Sequence, residues 1–182
     1  MNAEDAINQY VTLTDDLALF LAGPLSQWWQ SHFEVEGVHY NCCEQFMMHR
    51  KAMLFGDFDI AARILSIGPT SYSDIHQREF NQFPSEQKKL GREVYGFNQD
   101  IWNEVCRPIV FRGNAARFQQ DKLFRNTLIL TEKRLCVEAS PNDRIWGIGL
   151  KRSDPDALIK EKWLGSNFLG QTLTEVRDTF SH

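Results

Sequence analysis

Glu44 and Lys51 stand seven residues apart in Cys42–Phe55, a stretch without Gly or Pro that predicts a helix. At about 100° per residue the two positions differ by about 20° around the axis and roughly 10 Å along it. They share a face but are too far apart for a direct ion pair, and the gap between them suits a body the size of a ribose. A second group of reactive types falls in Glu138–Gly149. There Pro141 and Asn142 favour a turn, which places Asp143 and Arg144 on it or at its exit. Trp146 offers a flat stacking face. Gly147 and Gly149 bracket Ile148 and imply a backbone that something else approaches closely. A carboxylate, a guanidinium, an aromatic plane and bare backbone suit a sugar-nucleotide better than they suit a core.

Each residue also has an ordinary reading. Asn41 looks like an N-cap, and Glu44 three residues on completes a capping-box pattern. A single lysine such as Lys51 is most often a surface residue. Trp102 and Trp146 can be core anchors, since tryptophan is buried for its area alone. Only together do Glu44, Lys51 and the Asp143 turn favour chemistry over packing.

The elements that must position them follow from pattern. Asp16–Ala22 reads as a strand ended by Gly23-Pro24, and Trp28, Trp29 and Phe33 follow as an aromatic cluster. Phe33–Tyr40 alternates on either side of Glu36-Gly37 and predicts a hairpin. Gly56 ends the Cys42–Phe55 helix, and a short helix covers Phe58–Ser66. Gly68–Phe83 reads as an irregular excursion. Pro84 belongs in the first turn of a helix running to about Val94. The longest helical pattern spans Gln99–Gln119, where Pro108 is expected to kink or break it. Asp121–Leu130 is another helix, and Leu135–Ala139 and Ile145–Leu150 are short strands. Asn167 caps a last amphipathic helix striped by Leu169, Leu173, Val176 and Phe180. The fold class is α+β: one helix-rich domain over residues 1–182 with a small, mainly antiparallel sheet.

Composition narrows the function classes. A chain of 182 residues, 42% hydrophobic and 24% charged, builds an ordinary globular core without disulfides. No apolar run approaches the roughly 20 residues that cross a bilayer, so no membrane partner is expected. Met1–Asp5 is acidic and lacks the apolar core of a signal peptide, which points to the cytoplasm. The four cysteines show no metal-ligand spacing and read as buried thiols, and the five histidines are scattered. No metal and no cofactor are expected. A net charge of −4 argues against non-specific coating of nucleic acid. The basic windows Arg78–Arg92 and Arg107–Arg125 still allow a local groove, although a solvated helical face is their ordinary reading. Nothing indicates an oligomeric state.

Taken in order, several blocks resemble the NADAR superfamily, the group that includes the YbiA-like N-glycosidases. They are Pro24-Leu25-Ser26 with Trp28, Phe33–Tyr40, Glu44-Gln45-Phe46 leading to Lys51-Ala52, and Leu54–Asp57. Leu90-Gly91-Arg92 with Trp102 and Arg107, Lys122-Leu123, Glu138–Gly149 and Trp163–Gly170 complete the set. The resemblance covers about Phe20 to Phe180. The chain departs from the family pattern at Gln27, where many members have asparagine, at Cys42-Cys43, and at Gln45, which replaces a frequent histidine.

The resemblance implies a YbiA-like fold and hydrolysis of N-glycosyl compounds at ribose C1′. The substrate would be a phosphorylated riboside, such as an aminopyrimidine riboside of riboflavin synthesis, or an ADP-ribose conjugate. It further implies that Glu44, Trp102, Asp143 and Trp146 line the cavity and that Lys51 matches a lysine implicated as a covalent partner for the sugar. On that basis Glu44 is the proton donor or shuttle, and Asp143 is the ionised group that stabilises charge or activates water. Arg92 and Arg144 are candidates for gripping a phosphate, with Arg144 equally a counter-ion to Glu138 or Asp143. Trp28 is a candidate for the cavity lip, and Gly147 for close backbone approach. One rival reading is removal of ADP-ribose from guanine in DNA or RNA. A rival of another class is a non-catalytic sensor of ADP-ribose or NAD.

Overall fold

The computed structural model describes residues 1–71 and 75–180. In chain order the elements begin with α1 (Ala3–Tyr10), β1 (Val11–Leu13), β2 (Leu17–Phe20), β3 (Phe33–Val35) and β4 (Val38–Tyr40). Then come α2 (Cys43–Leu54), α3 (Phe58–Ser66), α4 (Gln77–Phe80), α5 (Gln82–Arg92) and α6 (Gln99–Gln120). The chain ends with α7 (Lys122–Ile129), β5 (Leu135–Glu138) and α8 (Phe168–Asp178). Two compact units divide them: Met1–Ser26 with Asp121–His182, and Gln27–Gln120. The class is α+β, rich in helix. No helix among the described residues is long and apolar enough to cross a membrane.

In the unit formed by the two chain ends, β2 is the central strand of a three-stranded sheet in the order β1-β2-β5. All four of its residues are buried, which explains the unbroken apolar run of Leu17–Phe20. β1 pairs with it antiparallel and β5 pairs parallel, with Leu17 opposite Leu135 and Phe20 opposite Glu138. The parallel pairing adds to the mainly antiparallel sheet read from sequence. Leu17, Leu19, Val137, Ala139, Ile148 and Ala157 form the core, with Trp163 against it. Leu169, Leu173 and Val176 of α8 are fully buried as the stripe predicts.

Three expectations for this unit need correction. Neither α1 nor β1 was anticipated; Asn2 and Asp5 cap α1 reciprocally, and β1 follows at once. Ile145–Leu150 is not a strand. Its backbone groups bond outward to Glu138, Asp143, Leu164, Asn167, Phe168 and Leu169, and Gly149 has φ +72°, so no ladder forms. Asn167 does precede α8, but its side chain does not cap it. At φ +54° it instead accepts from the Glu138 amide and donates to the Cys136 carbonyl, both at 3.0 Å.

In the Gln27–Gln120 unit, β3 and β4 form the predicted hairpin, with Phe33 opposite Tyr40. Glu36 and Gly37 both have positive φ, 53° and 80°, the geometry of a type I′ turn. α2 is buried around most of its circumference and packs on α3, α5 and α6. Gly56, at φ +74°, follows its end. The Ile67 carbonyl after α3 receives side-chain amides of Asn41, Gln45 and Gln87 at 2.8–3.1 Å, which ties α2, α3 and α5 together.

Pro108 does not break α6, which runs through from Gln99 to Gln120. Pro108 and Glu104 both lie on the exposed side, where the carbonyl left without a helical donor can meet solvent. The Gly68–Phe83 excursion holds α4 and the start of α5; its residues 72–74 lie outside the described residues. α5 ends at Arg92 rather than Val94, with Pro84 in its first turn. All four cysteines are free and buried, and burial raises the thiol pKa of each.

Candidate active site

The start of α2 differs from the predicted cap in a way that matters for Glu44. Cys42, not Asn41, is the N-cap, its Sγ accepting the Gln45 amide at 3.4 Å. The Asn41 amide is taken by Gln45 Oε1 at 2.8 Å. Glu44 is therefore released from capping. Glu44 is 2% exposed, and its Oε2 accepts the indole Nε1–H of Trp28 at 3.2 Å. The Glu44 amide donates to the Gln27 carbonyl at 3.1 Å, so the loop at Gln27-Trp28 folds over the first turn of the helix. The Gln27 carboxamide is buried there, and among the described residues neither of its polar atoms has a hydrogen-bond partner.

Two turns along, Lys51 is half-buried. Its Nζ donates to the Gly91 carbonyl at 2.7 Å and lies 4.0 Å from the Phe97 ring centroid and 5.8 Å from that of Trp102. Its pKa is lowered, first by burial and then by the charge of Arg92, while the Glu44 charge pulls the other way. Lys51 makes no ion pair with Glu44, as the spacing along the helix anticipates. Between them Met48 lies against Gly91; a Cβ on Gly91 would collide with the Met48 sulfur. That close approach of α5 to α2 brings the Gly91 carbonyl within reach of Lys51. Arg92 is exposed at the end of α5 and makes no ion pair among the described residues. Trp102 is 8% exposed, and Lys88 Nζ lies 6.0 Å from the Trp28 ring centroid.

Trp28, Glu44, Lys51, Arg92 and Trp102 thus gather around one face of α2. Asp143, Arg144, Trp146 and Gly147 gather on a turn of the other unit. Asp143 Oδ1 accepts the amides of Ile145 at 2.9 Å and Trp146 at 2.8 Å, and this bonding holds the turn. Trp146 is half-buried and meets Phe168 edge-on, with ring centroids 6.2 Å apart. The chain itself makes the close approach at Gly147: a Cβ there would meet the Glu138 carbonyl at 2.9 Å and the Asp143 carbonyl at 3.0 Å. Gly165 packs on the same strip, against the Gly147 carbonyl. Arg144 is exposed on this turn.

Several contributors were not singled out from sequence. Phe97 and the Gly91 carbonyl reach Lys51 from distant positions, and no local pattern marks either. Gln27 was noted only as a departure from the family pattern. A separate cavity of about 330 Å³ in the Gln27–Gln120 unit is lined by residues including His32, Tyr40, Asn41, Ile67 and Pro69, and by none of the predicted site residues. Among the described residues no group of three or more His, Cys, Asp or Glu comes together as a metal site.

The family model of the NADAR domain matches residues 20–181. The chain is 34% identical over 158 residues to an N-glycosidase of Acanthamoeba polyphaga mimivirus, covering 84% of this chain and 85% of that protein. It is 36% identical over 141 residues to the protein irg-1 of Caenorhabditis elegans, covering 76% of this chain but only 60% of the nematode protein. Among solved structures, the E. coli protein YbiA superposes with a TM-score of 0.70 at 21% identity, covering 97% of this chain and 91% of that one. At that identity the likeness speaks for the fold.

Proposed function

The chain belongs to the NADAR domain family, and on that premise we propose that it is an N-glycosidase acting at ribose C1′. Its substrate would be a phosphorylated riboside or an ADP-ribose conjugate. The observation that carries the reading is the face of α2. A buried glutamate, its carboxyl held by an indole donor, shares that face with a lysine whose pKa is lowered. The mimivirus relative that covers most of the chain is named an N-glycosidase, which supports the same class.

Cleavage of a ribosyl C–N bond passes through an oxocarbenium-like state, positive at C1′ and O4′, and the leaving nitrogen needs a proton. Glu44 supplies that proton. The family resemblance alone assigns the Asp143 carboxyl the task of stabilising the developing charge or activating water. In a ring-opened ribose, C1′ is an aldehyde. In the ring-opened N-riboside C1′ is instead an imine to the leaving nitrogen; the neutral amine of Lys51 adds to it and expels the base as its amine, and water then hydrolyses the lysine imine to the aldehyde and free Lys51. Burial and the neighbouring Arg92 raise the neutral fraction of Lys51 at a given pH, which favours this route. Arg92, exposed and without an ion-pair partner among the described residues, serves as a phosphate ligand, and Arg144 is a candidate for the same part. Trp28 and Trp102 wall the sugar or stack on the base; for Trp146 that part rests on the family resemblance, and Gly147 keeps its turn tight.

The test is parallel incubation with aminopyrimidine riboside phosphates, ADP-ribosylated DNA and NAD, with released base and sugar measured. Release from at least one supports the reading. Binding without release, unchanged in Glu44→Gln, replaces it with the sensor reading. A second substrate class, ADP-ribosyl-guanine in nucleic acid, is favoured by the exposed Tyr95 and Phe97 next to Arg92 at the Lys51 end. Steep salt dependence on the polymer but not on the free conjugate would identify it.

A further inference from the structure

We infer that Gln27 reads the leaving group: its carboxamide pairs with a lactam edge, a ring N–H beside a ring C=O, on the base released from ribose. The inference rests on the N-glycosidase reading above and adds a recognition residue to it. Gln27 is 7% exposed, and neither Oε1 nor Nε2 has a hydrogen-bond partner among the described residues. A buried polar group left so costs about 1–3 kcal/mol, which is why such groups are rare in folded proteins.

The neighbouring amides show what this region does with the same chemistry. Gln45 spends its Nε2 on the carbonyls of Ile64, Leu65 and Ile67. Gln87 donates to Asn41 and Ile67 and accepts from the Cys42 thiol. Gln27 is the exception among them. Packing alone gives no reason for an amide, because methionine fills nearly the same volume without polar atoms.

Its place is pinned as well. The Gln27 carbonyl accepts the Glu44 amide at 3.1 Å, and the adjacent Trp28 indole is bonded to the Glu44 carboxylate. The backbone of Gln27 is thus anchored on the helix turn that carries the proposed proton source. The cations Lys51 and Arg92 lie towards the other end of α2, where a pentose and its phosphate are better served. A carboxamide presents one donor and one acceptor side by side in a plane, and a lactam presents the complement. A ribose diol offers rotating hydroxyls with no such planar match. The proton passes from Glu44 to the leaving nitrogen, and Gln27 makes and breaks no covalent bond.

The test compares wild type with Gln27→Met and Gln27→Asn on two ribosides that differ only at this edge, one of hypoxanthine and one of unsubstituted purine. Wild type is expected to favour hypoxanthine by about 10- to 100-fold in kcat/KM, the size of two hydrogen bonds. Gln27→Met is expected to lose that preference while its ligand-free Tm rises; Gln27→Asn keeps part of it. A thermal shift by free hypoxanthine, present in wild type and lost in Gln27→Met, reports the same pairing without turnover. An unchanged preference in Gln27→Met overturns the inference, as does the lack of a hypoxanthine shift in wild type. If no riboside is cleaved but the shift still depends on Gln27, the N-glycosidase reading fails and the pairing stands.

Discussion

The indole of Trp28 holds the carboxyl of Glu44 through a 3.2 Å hydrogen bond, and the backbone of Gln27 holds the amide of that same glutamate. One short loop therefore fixes both the acid and its helix turn. Replacing Trp28 by Phe keeps an aromatic ring and removes the donor. We expect kcat to fall about 10-fold, the scale of one charge-assisted bond, with far-ultraviolet circular dichroism unchanged. Glu44→Gln is expected to lower kcat by about 100- to 10,000-fold while Tm stays level or rises. Full activity in that variant removes Glu44 from the chemistry.

Lys51 links function to stability. Its pKa in the folded protein lies below the ordinary lysine value of 10.5, so the fold binds this proton less tightly than the unfolded chain does. At neutral pH the charged group is a burden on the fold, and stability is regained as pH rises through the window between the lowered pKa and 10.5. Lys51→Met is expected to raise the urea midpoint at pH 7, with the gap to wild type closing by about pH 10.5. Borohydride trapping of a substrate adduct should strengthen with pH in wild type and vanish in the variant. Full turnover by Lys51→Met rules out a covalent role.

Asp143 has two duties that substitution separates. Asn keeps an oxygen to accept the Ile145 and Trp146 amides but removes the charge, whereas Ala removes both. Asp143→Asn is expected to keep its Tm within about 2 °C and lose most activity; Asp143→Ala should lose activity and about 1 kcal/mol of stability. Equal activity in Asp143→Asn and wild type leaves Asp143 a turn residue only.

Gly91 is where α5 comes close enough for its carbonyl to hold Lys51. Gly91→Ala drives a methyl group into the Met48 sulfur and is expected to destabilise by about 1–3 kcal/mol in urea unfolding. Met48→Ala in the same chain should recover part of that loss. Recovery of stability without recovery of activity would show that the Lys51 carbonyl contact has shifted.

Local features were legible where single residues dictate backbone. Glu36-Gly37 marked the hairpin and Gly56 the end of α2, while the caps Asp57 and Asp121 of the helices that follow them were not singled out. The strand predicted at Ile145–Leu150 failed because an alternating pattern says nothing of where backbone bonds go. There the carbonyls of Glu138 and Asp143 and the amides of Leu164, Asn167, Phe168 and Leu169 take those bonds. α1 escaped notice because it buries only Ala6 and Ile7, too few for a readable stripe. For the site, Glu44 and Lys51 could be paired from helix geometry. Phe97, Gly91 and Gln27 could not, since each meets α2 through tertiary contact. The cap at Cys42 in place of Asn41 was equally hidden, because thiols are poor cap signals.

The central strand β2 precedes the Gln27–Gln120 unit, yet its parallel neighbour β5 follows only after the whole of it. During synthesis at about 5–20 residues per second, β2 waits on the order of ten seconds for that neighbour to leave the ribosome. Throughout that interval four apolar residues with an open edge are available to any passing strand. Nascent chains stalled between these two points should be the ones that recruit chaperones.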